Sequence, residues 1–176
     1  MAENIKKMFE RLAQYNSRTN QKSIKILERM EPDKLTQDFG SFFGSILGIL
    51  NHLLTADIFW LRSFGKSISS LDFVLPIVDK FPVERKPPKE LYWTNLKEFK
   101  TVRVEIDTLI EQVVESLPTT QYTSMLKMEN FRGFEFDTWE YLLHMFNHHT
   151  HHRGGVAALL DQLKVKNAYS NLLWNG

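Results

Sequence analysis

The chain has 176 residues, 43% of them hydrophobic and 24% charged, with a net charge of +1 and no cysteine. This is an ordinary globular balance, and residues 1–176 are expected to form one domain with a sizeable core. The near-zero charge carries no nucleic-acid footprint, and the lack of thiols excludes disulfides, cysteine-ligated zinc and a thiol nucleophile.

The first stretch, MAENIKKMFERLAQYN, has no uncharged apolar centre and no small-residue cleavage site, so it does not read as a signal peptide. No run approaches the roughly 18 apolar residues of a membrane span. A cytoplasmic protein without membrane contact is expected. Residues 3–30 read as a first helix. Ile5, Met8, Phe9, Leu12, Tyr15, Thr19, Ile24 and Leu27 recur at a mostly helical period, no Gly or Pro interrupts them, and Pro32 closes the run. Residues 34–38 read as a connector.

Residues 39–64 read as a second helix that is apolar almost all round, from Phe42 and Phe43 to Trp60 and Leu61, and so buried on more than one side. Gly40, Gly44 and Gly48 recur every four residues within it, which predicts a bare face for close helix packing. Its apolar circumference exceeds what one four-helix core covers, which predicts a homodimer. His52 falls in its middle. Residues 65–89 contain Gly65, Pro76, Pro82, Pro87 and Pro88 and read as a long irregular crossover, a place for substrate-contacting loops. Residues 90–117 read as a third helix ended by Pro118, with Leu91, Leu96, Phe99, Val102, Ile106, Ile110, Val113 and Val114 near helical spacing.

Residues 122–128 and 133–136 read as a small hairpin around a Glu129-Asn130 turn. Asp137, with Glu140 three residues on, reads as a capping box that starts a fourth helix over 138–163. The tail, 164–176, is polar with a late apolar patch at Leu172, Leu173 and Trp174. These elements predict an all-α, up-down four-helix bundle with one long crossover and a possible small β-hairpin.

The chemistry is concentrated in residues 143–155, LHMFNHHTHHRGG. They hold five of the six histidines: His144, His148, His149, His151 and His152. Imidazole is the commonest metal ligand, and two histidines four residues apart share one helix face. His148 and His152 lie about 40° apart on the wheel. They sit at one edge of the apolar face formed by Leu142, Met145, Val156, Leu160 and Leu163. His149 lies nearer the centre of that face, so the wheel leaves it open as a ligand. His144 and His151 point further from the core. A metal needs at least one more protein ligand than such a pair provides, and His52 is the candidate. The HxxxH spacings lack the glutamate that a zinc peptidase needs after its first histidine, and there is no G-x-S-x-G, phosphate loop or EF-hand loop.

The run HxxNHxTHHRG at 144–154 resembles the signature of the DinB/YfiT-like metalloenzyme family. Tyr15-Asn16 with Asn20 resembles the family's first-helix YNxxxN, and Asn51-His52 through Ala56-Asp57 to Trp60-Leu61 resembles its second-helix histidine segment. The resemblance covers nearly the whole chain in order. It implies a four-helix bundle, often a homodimer, with a divalent metal, zinc or nickel, held by His52, His148 and His152. The position of His149 is not a ligand position in that family. One departure stands out, since the family has HRGQ and this chain has HRGG, with Gly155 in place of Gln.

The resemblance further implies a metal-dependent transferase or isomerase that acts on a small-molecule substrate with a low-molecular-weight thiol such as bacillithiol or mycothiol. The alternatives are a metal-dependent hydrolase and a non-catalytic, metal-binding dimeric stress protein. Each ligating imidazole needs its second nitrogen held, and Asp57 and Glu140 are the candidate holders. Arg153 is a candidate for binding a substrate carboxylate or for an ion pair with Asp57.

Overall fold

Apolar residues at helical spacing build four long helices, and short pieces between them set where their ends lie. The computed structural model describes residues 2–81, 86–128 and 134–173. In chain order the helices are α1 (Ala2–Leu27), α2 (Pro32–Thr36), α3 (Ile46–Ser67), α4 (Leu75–Val78), α5 (Leu96–Ser116) and α6 (Thr138–Gln162). A two-stranded antiparallel sheet, β1 (Met125–Lys127) and β2 (Glu135–Asp137), precedes α6. α1 packs against α5 and α6, and α3 packs against the same two helices. Phe9, Leu54, Ile58, Ile106, Leu142 and Leu160 are fully buried or nearly so where these faces meet. The result is the expected mostly-α bundle with its small hairpin. No helix among the described residues is long and apolar enough to cross a membrane.

Pro32 begins α2 as well as ending the first helical run. Proline suits a first helical turn because the N–H it lacks would have no partner there.

The second helix starts later than its apolar run suggests. Gly40 and Gly44 both have φ of +74°, a conformation natural to glycine and strained for other residues. They form a tight loop in which Phe39 N–H donates to Gly44 O at 2.7 Å and Gly44 N–H donates to Ser41 O at 2.9 Å. α3 then begins under an N-cap, with Ser45 Oγ accepting from Gly48 N–H at 3.0 Å. The glycine spacing therefore serves a turn and is not a stripe for helix packing. A Cβ on Gly48 would lie 2.0 Å from the Phe43 carbonyl oxygen, so glycine here lets the loop fold back over the helix. That fold-back carries Phe43 toward His52. Phe59 is the one large apolar side chain of α3 left exposed, so a single chain covers more of this helix than its composition suggests.

The crossover is more ordered than expected. After Ser67 the chain makes a 3-10 turn over Ser69–Val74 and then α4, with Leu71, Val74 and Val78 buried. The expected break at Pro82 lies outside the described residues. α5 begins at Leu96 because Asn95 caps it, its Oδ1 accepting from Glu98 N–H at 3.0 Å. The preceding segment is pinned to α3 by Asn51. Its Oδ1 accepts from the N–H groups of Tyr92 and Trp93 at 3.0 Å each, and its Nδ2 donates to Trp93 O at 3.0 Å and Leu47 O at 2.9 Å.

Tyr122 belongs to a 3-10 turn, so the hairpin is shorter than expected. It pairs Met125 with Asp137, Leu126 with Phe136 and Lys127 with Glu135. The expected Glu129-Asn130 turn and Gly133 lie outside the described residues. The capping box forms, with the Glu140 carboxylate accepting from Asp137 N–H at 2.9 Å. In the tail, Tyr169 is buried and its hydroxyl donates to Arg153 O at 3.3 Å. Trp174 lies outside the described residues.

Candidate metal centre

α6 carries His148 and His152 one turn apart on a single face, and α3 carries His52 opposite them. His52 Nε2 lies 3.0 Å from His148 Nε2. Each of the three half-buried histidines offers a ring nitrogen within 4.8 Å of the others. An ion about 2.1 Å from each nitrogen would hold its ligand atoms roughly 3.0–3.4 Å apart, for angles between octahedral and tetrahedral. The 3.0 Å between His52 Nε2 and His148 Nε2 falls in that range, and three imidazole donors within 4.8 Å of one another fit a single ion.

Phe43 stacks on His52 with ring centroids 4.1 Å apart and meets His152 edge-on at 5.4 Å. Burial lowers the pKa of His52. Burial pushes His148 down to about 4, helped by the neighbouring His52. It pushes His152 down to about 3, helped by His148. All three rings are therefore neutral near pH 7, the form in which imidazole offers a lone pair to a cation.

One side of the group is open. His52 borders a cleft of about 710 Å³ whose walls include Phe42, Phe43, Phe59 and Tyr92. Lys86 stands at its edge, with Nζ 4.3 Å from the Tyr92 ring centroid.

The remaining histidines are not among the three converging donors, although the His151 ring meets His152 edge-on at 4.8 Å and the His144 ring stacks on His148 at 6.4 Å. His151 is exposed, and His144 is exposed with its ring 5.2 Å from that of Trp60. His149, which the wheel left open, is wholly buried and turned inward, with Nε2 2.6 Å from Asp57 Oδ1.

The expected supports are corrected here. Asp57 holds no ring of the three-histidine group, because its second oxygen takes Arg103 Nη1 at 2.5 Å. Glu140 remains in its helix cap. Arg153 pairs with Asn16 and not with Asp57, its Nη1 donating to Asn16 Oδ1 at 2.6 Å while its guanidinium lies 5.3 Å from the Tyr15 ring.

These groups form one buried network. Arg103 Nη2 is 2.9 Å from Asp107 Oδ1. Asp107 accepts from Asn16 Nδ2 at 3.2 Å and from Asn20 Nδ2 at 2.9 Å. The network thus joins α1, α3, α5 and α6. Burial alone would raise the pKa of Asp57, but His149 and Arg103 outweigh it and hold the carboxyl at about 2. At Asp107 burial prevails over Arg103, and the pKa is raised.

Arg103 and Asp107 were not singled out from the sequence. A signal was present, because Arg103 sits four residues after Phe99 and three before Ile106, on the core stripe of α5. A charge on a core stripe calls for a buried partner. Gly155 sits beside α3, and a Cβ there would meet only Ile49 Cδ1, at 3.6 Å, an ordinary contact.

The sequence model described as the DinB family matches residues 1–175. The chain is 27% identical over 156 residues to Protein DinB of Bacillus subtilis (strain 168), covering 86% of this chain and 84% of that protein. Its fold is similar to the crystal structure of a DinB-like protein from Bacillus cereus ATCC 10987. The TM-score is 0.61 at 19% sequence identity, over 89% of this chain and 93% of that one.

Proposed function

The chain belongs to the DinB family, and on that premise we propose that it binds a divalent metal, zinc or nickel, through His52, His148 and His152. We infer that the ion serves a transfer reaction on a small molecule with a low-molecular-weight thiol as cosubstrate. The observation that carries this is the convergence of three ring nitrogens within 4.8 Å of one another at the edge of an open cleft. A metal site that is only structural is closed by protein ligands, whereas a catalytic one keeps a position free.

A divalent ion held there would supply Lewis acidity, which lowers the pKa of a thiol or water at its free position. The chain's own residues do the rest. The three imidazoles hold the ion, and Phe43 packs on one face of the His52 ring. Phe42, Phe59 and Tyr92 offer flat apolar surface to a substrate, and Lys86 brings a positive charge to the rim. The chain has no cysteine, so a thiol nucleophile must come from a second molecule. Homodimerisation and a cytoplasmic location complete the proposal. Leu143 of α6 is an exposed apolar side chain outside the cleft lining, available to a second copy.

Metal analysis of protein purified without an affinity tag tests the first step, with about one ion per chain expected. Loss of bacillithiol in the presence of 1-chloro-2,4-dinitrobenzene tests the second, with a rate that follows metal content. Protein that takes up neither zinc nor nickel would end the proposal. Metal-loaded protein without thiol transfer would favour the non-catalytic or hydrolytic alternatives.

A further inference from the structure

The same two helices that carry the three histidines are joined by a second, fully buried contact. His149 follows His148 directly and is turned about 100° from it around α6. Asp57 lies on α3, five residues after His52. Their contact, Nε2 to Oδ1 at 2.6 Å, bridges α3 and α6 within two helical turns of the group. Both residues are 1% exposed or less, so no water competes for the bond.

Asp57 is itself immobilised. Arg103 of α5 takes its other oxygen at 2.5 Å and is held in turn by Asp107. With both oxygens engaged, the carboxylate cannot swing toward His52 or His148. Elsewhere the contacts of α3 with α6 include apolar ones, with Ile49 beside Gly155 and the Trp60 ring 6.1 Å from that of Tyr141. Apolar contact is non-directional and tolerates small axial shifts. A buried charged hydrogen bond is directional and adds little net stability, so its best-attested use is to fix register. A metal site is sensitive to such shifts, since ligand distances must hold to roughly 0.2 Å.

We propose that His149 and Asp57 are positioning residues that set the register of α6 on α3, and through it the spacing of His52 with His148 and His152. The proposal rests on the three-histidine metal reading. It assigns the buried pair to geometry and gives it no direct contact with the ion.

The test uses Co²⁺ alone as probe on the full-length protein, reading both affinity and the visible d–d spectrum. His149→Leu removes the bond and should weaken Co²⁺ binding by about tenfold or more, because ligand distances must hold to roughly 0.2 Å and a shift of α6 on α3 moves them. His149→Gln keeps an amide N–H near the position of Nε2 and should restore binding to within about threefold of the parent, with the parent spectrum. Asn20→Ala cuts the far end of the same network on α1. It should lower stability and leave the spectrum unchanged, which separates positioning from general loosening. If His149→Leu does not fold, His149→Asn takes its place, because its shorter amide cannot reach Asp57 Oδ1. The same loss is then expected.

Parent-like affinity and spectrum in His149→Leu or His149→Asn would overturn the proposal while leaving the metal site standing. So would a folded His149→Gln that loses as much as His149→Leu, or a spectral change in Asn20→Ala equal to theirs. If the parent binds no Co²⁺, the metal reading falls first and this proposal with it.

Discussion

His52 Nε2 and His148 Nε2 stand 3.0 Å apart although 96 positions separate them in the chain. With His152 one turn further along α6, they form a group whose members should be individually indispensable. Replacing His52, His148 or His152 by Ala should weaken zinc binding by about a hundredfold or more, since affinity rests on ligand number and geometry. His151→Ala should change it less than about twofold, because that ring is exposed and not among the three converging nitrogens. Calorimetric titration of untagged protein decides between them. Equal losses in all four variants would mean a loose histidine tract. The fold should survive each change, because its stability comes from apolar faces.

Acid should destabilise the metal-free protein in two stages. His148 and His152 have folded pKa values near 4 and 3, against 6.5 in an unfolded chain. Between those limits the unfolded state binds protons that the folded state refuses. Stability is therefore full above pH 6.5 and falls as pH drops toward 4 and then 3. Asp57 is shifted in the same direction at lower pH, its folded pKa lowered from 3.8 to about 2. Its contribution is present above pH 3.8 and is lost as pH falls through 2. Urea unfolding at stepped pH should show the first decline begin near pH 6.5, and His148→Gln/His152→Gln should delay it to lower pH.

Arg103 holds two buried carboxylates, Asp57 and Asp107, and is itself only 2% exposed. Arg103→Met should cost about 3–5 kcal/mol, because both carboxylates lose their buried cation. Chemical denaturation measures this directly. A loss under about 1 kcal/mol would show that the network contributes little to the folded state.

Gly154 and Gly155 lie within α6, where glycine is the poorest non-proline helix former. A Cβ at 154 meets nothing within 4 Å, and one at 155 meets only Ile49, at 3.6 Å. Gly154→Ala and Gly155→Ala should each stabilise the protein by about 0.5–1 kcal/mol. Destabilisation by Gly155→Ala would reveal a tighter α3–α6 approach than 3.6 Å allows.

Asn51 ties the 92–93 segment to α3 through hydrogen bonds from both ends of its amide. Asn51→Leu should cost at least about 2 kcal/mol, since it leaves buried backbone groups unpaired. It should also speed proteolysis between Lys86 and Trp93, because that side of the cleft is no longer pinned. Limited trypsin digestion followed by mass spectrometry reads the second effect.

The four long helices could be read along the chain because each is a local pattern. Apolar residues at a 3.6-residue period, the Asp137–Glu140 box and the Pro118 stop all act within a few residues of themselves. The His148–His152 pair was legible for the same reason, and the lone His52 in an apolar run completed the candidate set. Composition misled where a conformational demand was stronger than apolarity. Phe42 and Phe43 prolong the apolar run of α3, but Gly40 and Gly44 at positive φ turn the chain there, and Ser45 caps the helix after them. Tertiary structure alone decided the role of His149, which lies on the same apolar face as the ligand candidates. Its partner, Asp57, is 92 residues away, and only packing of α3 on α6 brings them together. Arg103 showed in the sequence only as a charge on the core stripe of α5, with Asp107 one turn on; that its other partner is Asp57 of α3 was decided by packing across helices, which meets the need of a buried charge for an opposite one.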